Sequence, residues 1–97
     1  MLRFEWDPVK ARTNQQKHGI RFEDAMQVFD DPRARFELDR ADEFGELRWH
    51  AIGLIGGVAV VLVAHTVREE AGDEVVRMIS ARRASRQERK RYEQTRA

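Results

Sequence analysis

This 97-residue chain has no cysteine, only two prolines and no long continuous hydrophobic run. Without cysteine, neither a disulfide framework nor a thiolate metal site can form, and this composition fits a reducing cytoplasm. The longest apolar stretch, residues 51–64, is interrupted by three glycines and is too short to span a bilayer. We therefore expect a soluble, cytoplasmic protein that makes no use of a membrane.

Several motifs that mark common enzyme classes are also missing. The sequence has no P-loop, no dinucleotide-binding fingerprint and no nucleophile elbow. Its three histidines, His18, His50 and His65, do not show the spacing of a zinc site. We therefore expect neither a metal nor a cofactor. His18 also has a structural explanation, because a donor in the last turn of a helix satisfies free carbonyl groups.

Length and charge limit the organisation of the chain. With 97 residues and a hydrophobic content of 41%, residues 1–97 are expected to form a single domain with one modest core. The net charge of +1 is unevenly distributed, since residues 82–97 carry seven Arg or Lys against two Glu, a net +5. Such a block either binds nucleic acid or an acidic protein surface, or it is simply a solvated helix.

The centre of the chain predicts a β-hairpin. Two runs rich in aliphatic side chains, residues 47–55 and 58–66, flank a Gly-Gly dipeptide. Gly56 and Gly57 can both adopt the positive φ angles of a type I′ turn. If these two glycines form the whole loop, one face of the hairpin is apolar and faces the core, with Leu47, Trp49, Ala51, Ile55, Val58, Val60, Leu62 and Ala64.

The other face of this hairpin would carry a polar cluster. In the two-residue-loop register, Arg48 lies directly across from His65, with His50 and Glu46 beside them. A cation next to a titratable ring is what a small phosphate-handling site needs. The same cluster is also compatible with an ordinary solvent-facing strand end.

Local signals predict the remaining elements. Apolar spacing, caps and turn residues indicate a strand at 2–6, a helix at 8–18, a second helix with the apolar stripe Phe22, Ala25, Met26 and Phe29, a strand at 34–40, a strand at 75–81, and a helix from 86 to about 95. The Phe22 stripe is expected to cover the core face of the sheet. With the hairpin, the order is β-α-α-β-β-β-β-α, an α+β fold.

The arginines and histidines fit one reaction class. Metal-free RNA cleavage needs a base for the 2′-hydroxyl, cations for the phosphorane and an acid for the leaving oxygen. Arginine holds phosphate oxygens with a planar fork, and histidine transfers protons near neutral pH. The sequence supplies these groups, although spacing alone does not show that they converge: Arg48, His50, His65, Arg68 and Arg82.

A series of short motifs is distributed along nearly the whole chain. The first group is Phe4-Glu5-Trp6-Asp7, Lys10-Ala11, Asn14, Lys17-His18-Gly19-Ile20, Phe22-Glu23-Asp24-Ala25, Val28-Phe29 and Asp31-Pro32. The second group is Gly45-Glu46, Arg48, Ile52-Gly53, Thr66, Arg68, Ile79-Ser80-Ala81-Arg82, Ala84, Glu88-Arg89 and Tyr92-Glu93. In order and spacing these motifs resemble the BrnT family.

This resemblance implies the toxin of a bacterial type II toxin-antitoxin module. It implies a RelE-like fold, with an antiparallel sheet, two N-terminal helices packed on one face and a basic C-terminal helix. It also implies a metal-independent endoribonuclease that arrests translation by 2′-hydroxyl attack on RNA. The expected partner is a BrnA-type antitoxin with a ribbon-helix-helix domain, which forms a hetero-oligomer with the toxin and makes the contacts to operator DNA.

The resemblance places Arg48, Arg68, Ser80 and Arg82 at motif positions, as the first candidates for phosphate contact, whereas the remaining candidates come from their chemistry and their place in the chain. The predicted catalytic set is Arg48, His65, Arg68, Arg82 and Glu46, with Glu46 as an alternative base. The predicted RNA-binding set is His50, Ser80, Arg83, Arg86 and Arg89. Two other functions stay open, a non-catalytic module whose basic helix binds an acidic partner or nucleic acid, and a toxin of the same fold that acts on DNA gyrase.

Overall fold

A computed structural model describes residues 1–94 of the chain. The predicted end of the last helix at Thr95, together with Arg96, lies outside these residues. In chain order the elements are β1 (Leu2–Glu5), α1 (Pro8–His18), α2 (Phe22–Ala25), a 3-10 helix (Met26–Asp30), β2 (Arg35–Ala41), β3 (Leu47–Ile55), β4 (Ala59–Glu70), β5 (Asp73–Arg83) and α3 (Arg86–Glu93). None of the described helices has the length and apolarity needed to cross a membrane.

Capping residues set the bounds of the first helix. Asp7 accepts a hydrogen bond from the Val9 amide at 2.8 Å, and Gly19 ends α1 in the left-handed region at φ 71°. The prediction of this helix is confirmed. The second predicted helix is shorter, because α2 tightens into the 3-10 helix after Ala25.

The five strands form one mixed sheet in the order β1-β5-β4-β3-β2. The β2-β3, β3-β4 and β4-β5 pairs are antiparallel, whereas β1 and β5 run parallel. The expectation of a wholly antiparallel sheet is therefore wrong. The chain leaves β1, passes through the helices to the far edge, and returns through three hairpin connections, so that β5 arrives beside β1 in the same direction.

The central hairpin forms where the sequence predicts it, but its register differs by one residue. Gly56 and Gly57 have φ values of 59° and 68°, and the Val58 amide donates to the Ile55 carbonyl at 3.2 Å, as in a type I′ turn. Ile55 nevertheless pairs with Ala59, so Val58 is an extra loop residue. Because side chains alternate along a strand, this shift turns every residue of β4 to the other face.

As a result, Trp49 and not Arg48 lies opposite His65. The predicted Arg48-His65 pairing is wrong, and the two side chains lie on opposite faces of the sheet. The β3 members of the predicted core face do lie on the side that packs against the N-terminal helices, although Leu47 is 47% exposed. The β4 members do not, because Val61 and Val63 are buried on that side and Leu62 is buried on the opposite one.

We name the two surfaces of the sheet by what covers them. The helical face bears Ala51, Val63 and Met78, and it packs against the N-terminal helical segment through residues such as Phe22 and Val28. The α3 face bears Ile52 and Leu62, which pack against Tyr92 of α3. Each helical layer covers only part of its face, so the ends of β3 and β4 remote from the glycine turn are more open on both sides.

Asp31 attaches α3 to the rest of the fold. Its Oδ2 atom accepts hydrogen bonds from the Tyr92 hydroxyl at 2.6 Å and from the Leu54 amide at 2.9 Å. The carboxylate thus connects the end of the 3-10 helix, β3 and α3. Close packing nearby depends on Gly53, because a Cβ atom there would lie 3.0 Å from a methyl carbon of Val28.

Candidate functional site

The open part of the α3 face contains a cluster held together by one carboxylate. A β-bulge after Leu38 inserts Asp39 into β2, and such bulges redirect side chains. The Oδ2 atom of Asp39 lies 3.5 Å from His50 Nε2 and 3.9 Å from Arg48 Nε. Arg40 Nε is also 3.9 Å from this oxygen. Two guanidinium groups and one imidazole therefore meet at a single acidic side chain.

Arg48 occupies the centre of this cluster. Within residues 1–94, Arg48 Nε is the one buried side-chain nitrogen or oxygen that makes no hydrogen bond. The Arg48 side chain as a whole is 30% exposed. It borders a cleft of about 400 Å³, whose lining includes Glu46 and Thr66. A partly exposed guanidinium group at an open cleft, with one nitrogen that makes no hydrogen bond, is suited to an anionic ligand.

His50 lies on the same face as Arg48, two positions along β3. It pairs with Glu37 on β2 and Ala64 on β4, and its side chain is 25% exposed. The contact between His50 Nε2 and Asp39 Oδ2 at 3.5 Å orients the imidazole. The ring is thus accessible to solvent and has an acidic partner.

His65 has a different environment, because it is on the helical face and only 1% exposed. Its Nδ1 is 3.2 Å from the Val63 carbonyl oxygen, and its ring meets Phe29 edge-on at 5.0 Å. Burial lowers the pKa of His65, and the nearby charge of His50 lowers it further. The imidazole is therefore a neutral core group, which contradicts the prediction that it shares a catalytic surface with Arg48.

Arg68 lies on the α3 face of β4 and reaches across β5 to a carboxylate of β1. Its two terminal nitrogens donate to Glu5 at 2.9 Å each, and it also reaches Glu70 at 2.8 Å. The guanidinium groups of Arg68 and Arg77 lower the pKa of Glu5 to about 2. A phosphate that approached Arg68 would have to compete with these carboxylates.

Arg82 is held in a similar way at the start of α3. It forms a bidentate pair with Glu88 at 2.7 and 3.0 Å. Glu88 also accepts from the Ser85 amide at 2.8 Å, while Ser85 Oγ accepts from the Glu88 amide, which completes a capping box. Hydrogen bonds from Arg82 are the main reason that the pKa of Glu88 falls to about 2.

The predicted RNA-binding residues are divided between surfaces. Ser80 pairs with Ala64, the residue that also pairs with His50, and it lines a pocket of about 230 Å³ beside α1. Arg86 and Arg89 are exposed on α3. Arg83 pairs with Val61 of the helical face and borders a pocket of about 290 Å³ beside the end of α1, so it lies apart from His50 and from the arginines of α3.

Sequence reasoning missed Asp39, Arg40 and Thr66. In an alternating strand, Asp39 and Arg40 are typical of solvated positions, and nothing in the local sequence marks the bulge between Leu38 and Arg40. Thr66 lines the cleft only because the register of β4 is shifted by one residue. The one available signal was the concentration of charge in residues 39–43.

The cluster combines the groups needed for phosphate chemistry. Arg40 and Arg48 can bind phosphate oxygens, and His50 can exchange a proton with solvent or a ligand. Within residues 1–94, no group of three or more His, Asp or Glu side chains is arranged to hold a metal ion.

Comparison with known proteins gives the family. The family described as ribonuclease toxin, BrnT, of type II toxin-antitoxin system matches residues 6–88. This chain belongs to the BrnT family. The crystal structure of the Brucella abortus ribonuclease toxin, BrnT, is similar to it, with 29% sequence identity and a TM-score of 0.68. The alignment covers 89% of this chain and 100% of the Brucella chain.

No curated protein matches the chain. The BrnT match nevertheless confirms the resemblance seen in the sequence motifs, and it shows that the chain is a ribonuclease toxin of a type II toxin-antitoxin system. Such a toxin implies an antitoxin partner.

Proposed function

We propose that this BrnT toxin is a metal-independent endoribonuclease whose site is the cleft beside Arg48. The observation that carries the proposal is the convergence of Arg40, Arg48 and His50 on Asp39. Arg40 and Arg48 line a cleft of about 400 Å³, and His50 lies two positions from Arg48 on the same face of β3. Arg48 Nε makes no hydrogen bond. The arrangement fits a ligand that brings negative charge.

Each member has a role in the proposed cleavage. Arg48 and Arg40 bind the scissile phosphate and stabilise the additional negative charge of the phosphorane. His50 serves as one proton-transfer group, oriented by Asp39, and takes the place that the sequence assigned to His65. Glu46, which lines the same cleft, is the candidate for the second proton transfer. The attacking group is the 2′-hydroxyl of the RNA itself.

Other predicted residues extend this surface. Ser80, Arg86 and Arg89 would contact RNA on either side of the cleft, where the α3 face is exposed. Arg68 and Arg82 border the same face, and their pairing with Glu5 and Glu88 favours a role in shaping it. We leave Arg83 out of the RNA-binding surface because of its place beside α1.

For the partner, we propose a BrnA-type antitoxin with a ribbon-helix-helix DNA-binding domain. The toxin and the antitoxin would form a hetero-oligomer, in which the antitoxin makes the contacts to operator DNA. An RNA target and a DNA-binding antitoxin both require the toxin to act in the cytoplasm. The proposal therefore expects an adjacent reading frame that encodes a short acidic segment and a ribbon-helix-helix domain.

Purified, antitoxin-free protein tests the activity. We expect it to cleave RNA in the presence of EDTA and to leave 2′,3′-cyclic phosphate ends. Arg48→Ala and His50→Ala should each abolish most cleavage, while the exposed α1 variant Arg12→Ala should not. The Arg48 and His50 variants should also fail to arrest growth.

Three results would contradict the proposal. Full cleavage by both the Arg48 and the His50 variant would remove the site. RNA binding with a steep salt dependence but without cleavage would favour a non-catalytic module. Intact RNA together with DNA damage signalling would favour action on DNA gyrase.

A further inference from the structure

The helical face has a second uncovered region, at the ends of the strands beyond the 3-10 helix. A groove of about 360 Å³ crosses it, and its lining comes from all five strands and from Phe29 of the 3-10 helix. The lining residues include Leu2 on β1, Phe36 on β2 and Trp49 on β3. We call this feature the cross-strand groove.

Large apolar side chains are concentrated along the cross-strand groove. Within residues 1–94, some strand residues have large apolar side chains that are at least 40% exposed. All of them are at this end of the helical face. They are Leu2, Phe36, Leu38, Leu47 and Val67. A contiguous apolar patch on a soluble protein commonly marks a protein-protein contact.

The geometry of the groove favours a helix as its occupant. Neighbouring strands are about 4.8 Å apart, so five strands span about 19 Å, the length of a helix of about 13 residues. Side chains three or four positions apart on a helix advance by about 4.5 to 6 Å. One apolar side chain of the helix would thus meet each strand. The helix would lie beside the 3-10 helix and continue the layer that α1 and α2 begin.

Charge on the rim of the groove specifies the occupant further. Glu69 and Glu74 lie directly opposite each other at the ends of β4 and β5, on the same face as the groove. Like charges in this position repel. Both side chains are exposed, and the described residues place no cation within ion-pair distance of either. Arg3 and Arg68 occupy neighbouring positions on their strands, but their side chains are on the α3 face. There they form ion pairs with Glu70, Asp73 and Glu5.

We propose that the cross-strand groove binds an amphipathic helix of the antitoxin, with one apolar side and a lysine or arginine placed against Glu69 and Glu74. This inference rests on the proposed function only for the identity of the partner. Since the groove is on the face opposite Arg48 and His50, the bound helix does not fill the cleavage site. Neutralisation would then come from the rest of the antitoxin or from occlusion of RNA by its bulk.

The test is the affinity of the full chain for the protein encoded by the reading frame adjacent to its own gene. Val67→Lys places a charge in the groove and should weaken binding at least about tenfold. The matched control is Val58→Lys at the hairpin tip, an exposed valine in the loop before β4, which should bind as the unmodified chain does. Replacing Glu69 and Glu74 by Lys should also weaken binding, and replacing them by Gln should weaken it less.

A second measurement does not depend on groove variants. In the Trp6→Phe chain, Trp49 is the remaining tryptophan, and binding should shield it from quenching by acrylamide. Melting temperatures establish that each variant is folded. Unchanged affinity of folded Val67→Lys, or equal loss in Val58→Lys, would overturn the proposal.

Two other outcomes would also overturn it. Dimerisation of the chain alone that Val67→Lys abolishes would assign the groove to a second copy of this protein. If the unmodified chain does not bind the adjacent protein at all, the groove has no such partner. RNA cleavage is measured in the same preparation. Cleavage without binding would contradict the groove proposal alone and leave the proposed ribonuclease function intact.

Discussion

The side-chain amide of Asn14 makes both hydrogen bonds that a neighbouring strand would make to Ala81. Its Nδ2 donates to the Ala81 carbonyl at 2.9 Å, and its Oδ1 accepts from the Ala81 amide at 3.0 Å. The same Nδ2 reaches the Ile20 carbonyl at 3.1 Å. Since β1 ends its pairing with β5 at Arg77, a residue of α1 completes the sheet edge where the parallel strand stops.

Replacing this amide should destabilise the whole domain. Asn14→Leu keeps a similar volume but leaves the two Ala81 groups and the Ile20 carbonyl without a partner in a buried site. We expect the free energy of unfolding to fall by about 3 kcal/mol, measured by urea denaturation. The matched control Gln16→Leu, on the exposed side of α1, should change it by no more than about 0.5 kcal/mol. Equal midpoints for the two variants would contradict this role of Asn14.

The two histidines of the hairpin should separate in function. His50→Ala is expected to lower the rate of RNA cleavage by about 10²- to 10⁴-fold, because it removes a proton-transfer group. His65→Phe retains an aromatic ring against Phe29 and should leave cleavage within the same order of magnitude as the unmodified chain. Single-turnover cleavage assays, with melting curves for both variants, measure the difference. A reversed order of the two effects would restore His65 to the site.

The Arg82-Glu88 pair gives a stability change with a defined pH window. Because the folded-state pKa of Glu88 is about 2, below the ordinary value of 4.5, its contribution is present above pH 4.5. The contribution is lost as pH falls from about 4.5 to about 2. We expect Glu88→Gln to reduce the free energy of unfolding by about 1 kcal/mol at pH 7, through the weakened cap and ion pair.

Denaturation of both chains at several pH values checks this window. The difference between the unmodified chain and Glu88→Gln should shrink below pH 4.5 and vanish near pH 2. Glu93→Gln on the same helix is the control, because that exposed side chain is not part of the cap. A difference that stays constant down to pH 2 would show that the Glu88 charge is not its source.

Tyr92 should hold α3 through its hydroxyl group as well as its ring. Burial and the hydrogen bond to Asp31 raise the pKa of Tyr92 to about 12, so the hydroxyl remains a donor throughout the neutral range. Tyr92→Phe is expected to lower stability by about 2 kcal/mol and to speed hydrogen exchange in α3. A double-mutant cycle with Asp31→Asn measures the coupling, and additive effects would exclude it.

Elements with strong local signals were predictable from the sequence. The Asp7-Pro8 start and the Gly19 end set α1, and Ser85 with Glu88 sets the start of α3. These signals act within a few residues, so no knowledge of the rest of the fold is needed. The parallel pairing of β1 was missed because it joins residues more than 70 positions apart, as in Leu2 with Glu74.

The candidate site was predictable only in part, for the same reason. Arg48 and His50 belong to one strand, so their shared face follows from alternation alone. The choice between His50 and His65 depended on the number of loop residues, and Asp39 joins the cluster through a bulge. Neither a loop count nor a bulge has a reliable local signature.

The extra residue at the hairpin tip, Val58, makes the length of that turn more important than its composition. Removing one residue there would have one of two effects on β4. Either each of its side chains would turn to the opposite face of the sheet, or the strand would lose its pairing with β3. His65 would then be presented to solvent, and the valines that seal the N-terminal helices would face outward. We therefore expect descendants of this sequence to tolerate many substitutions at position 58 but very few insertions or deletions.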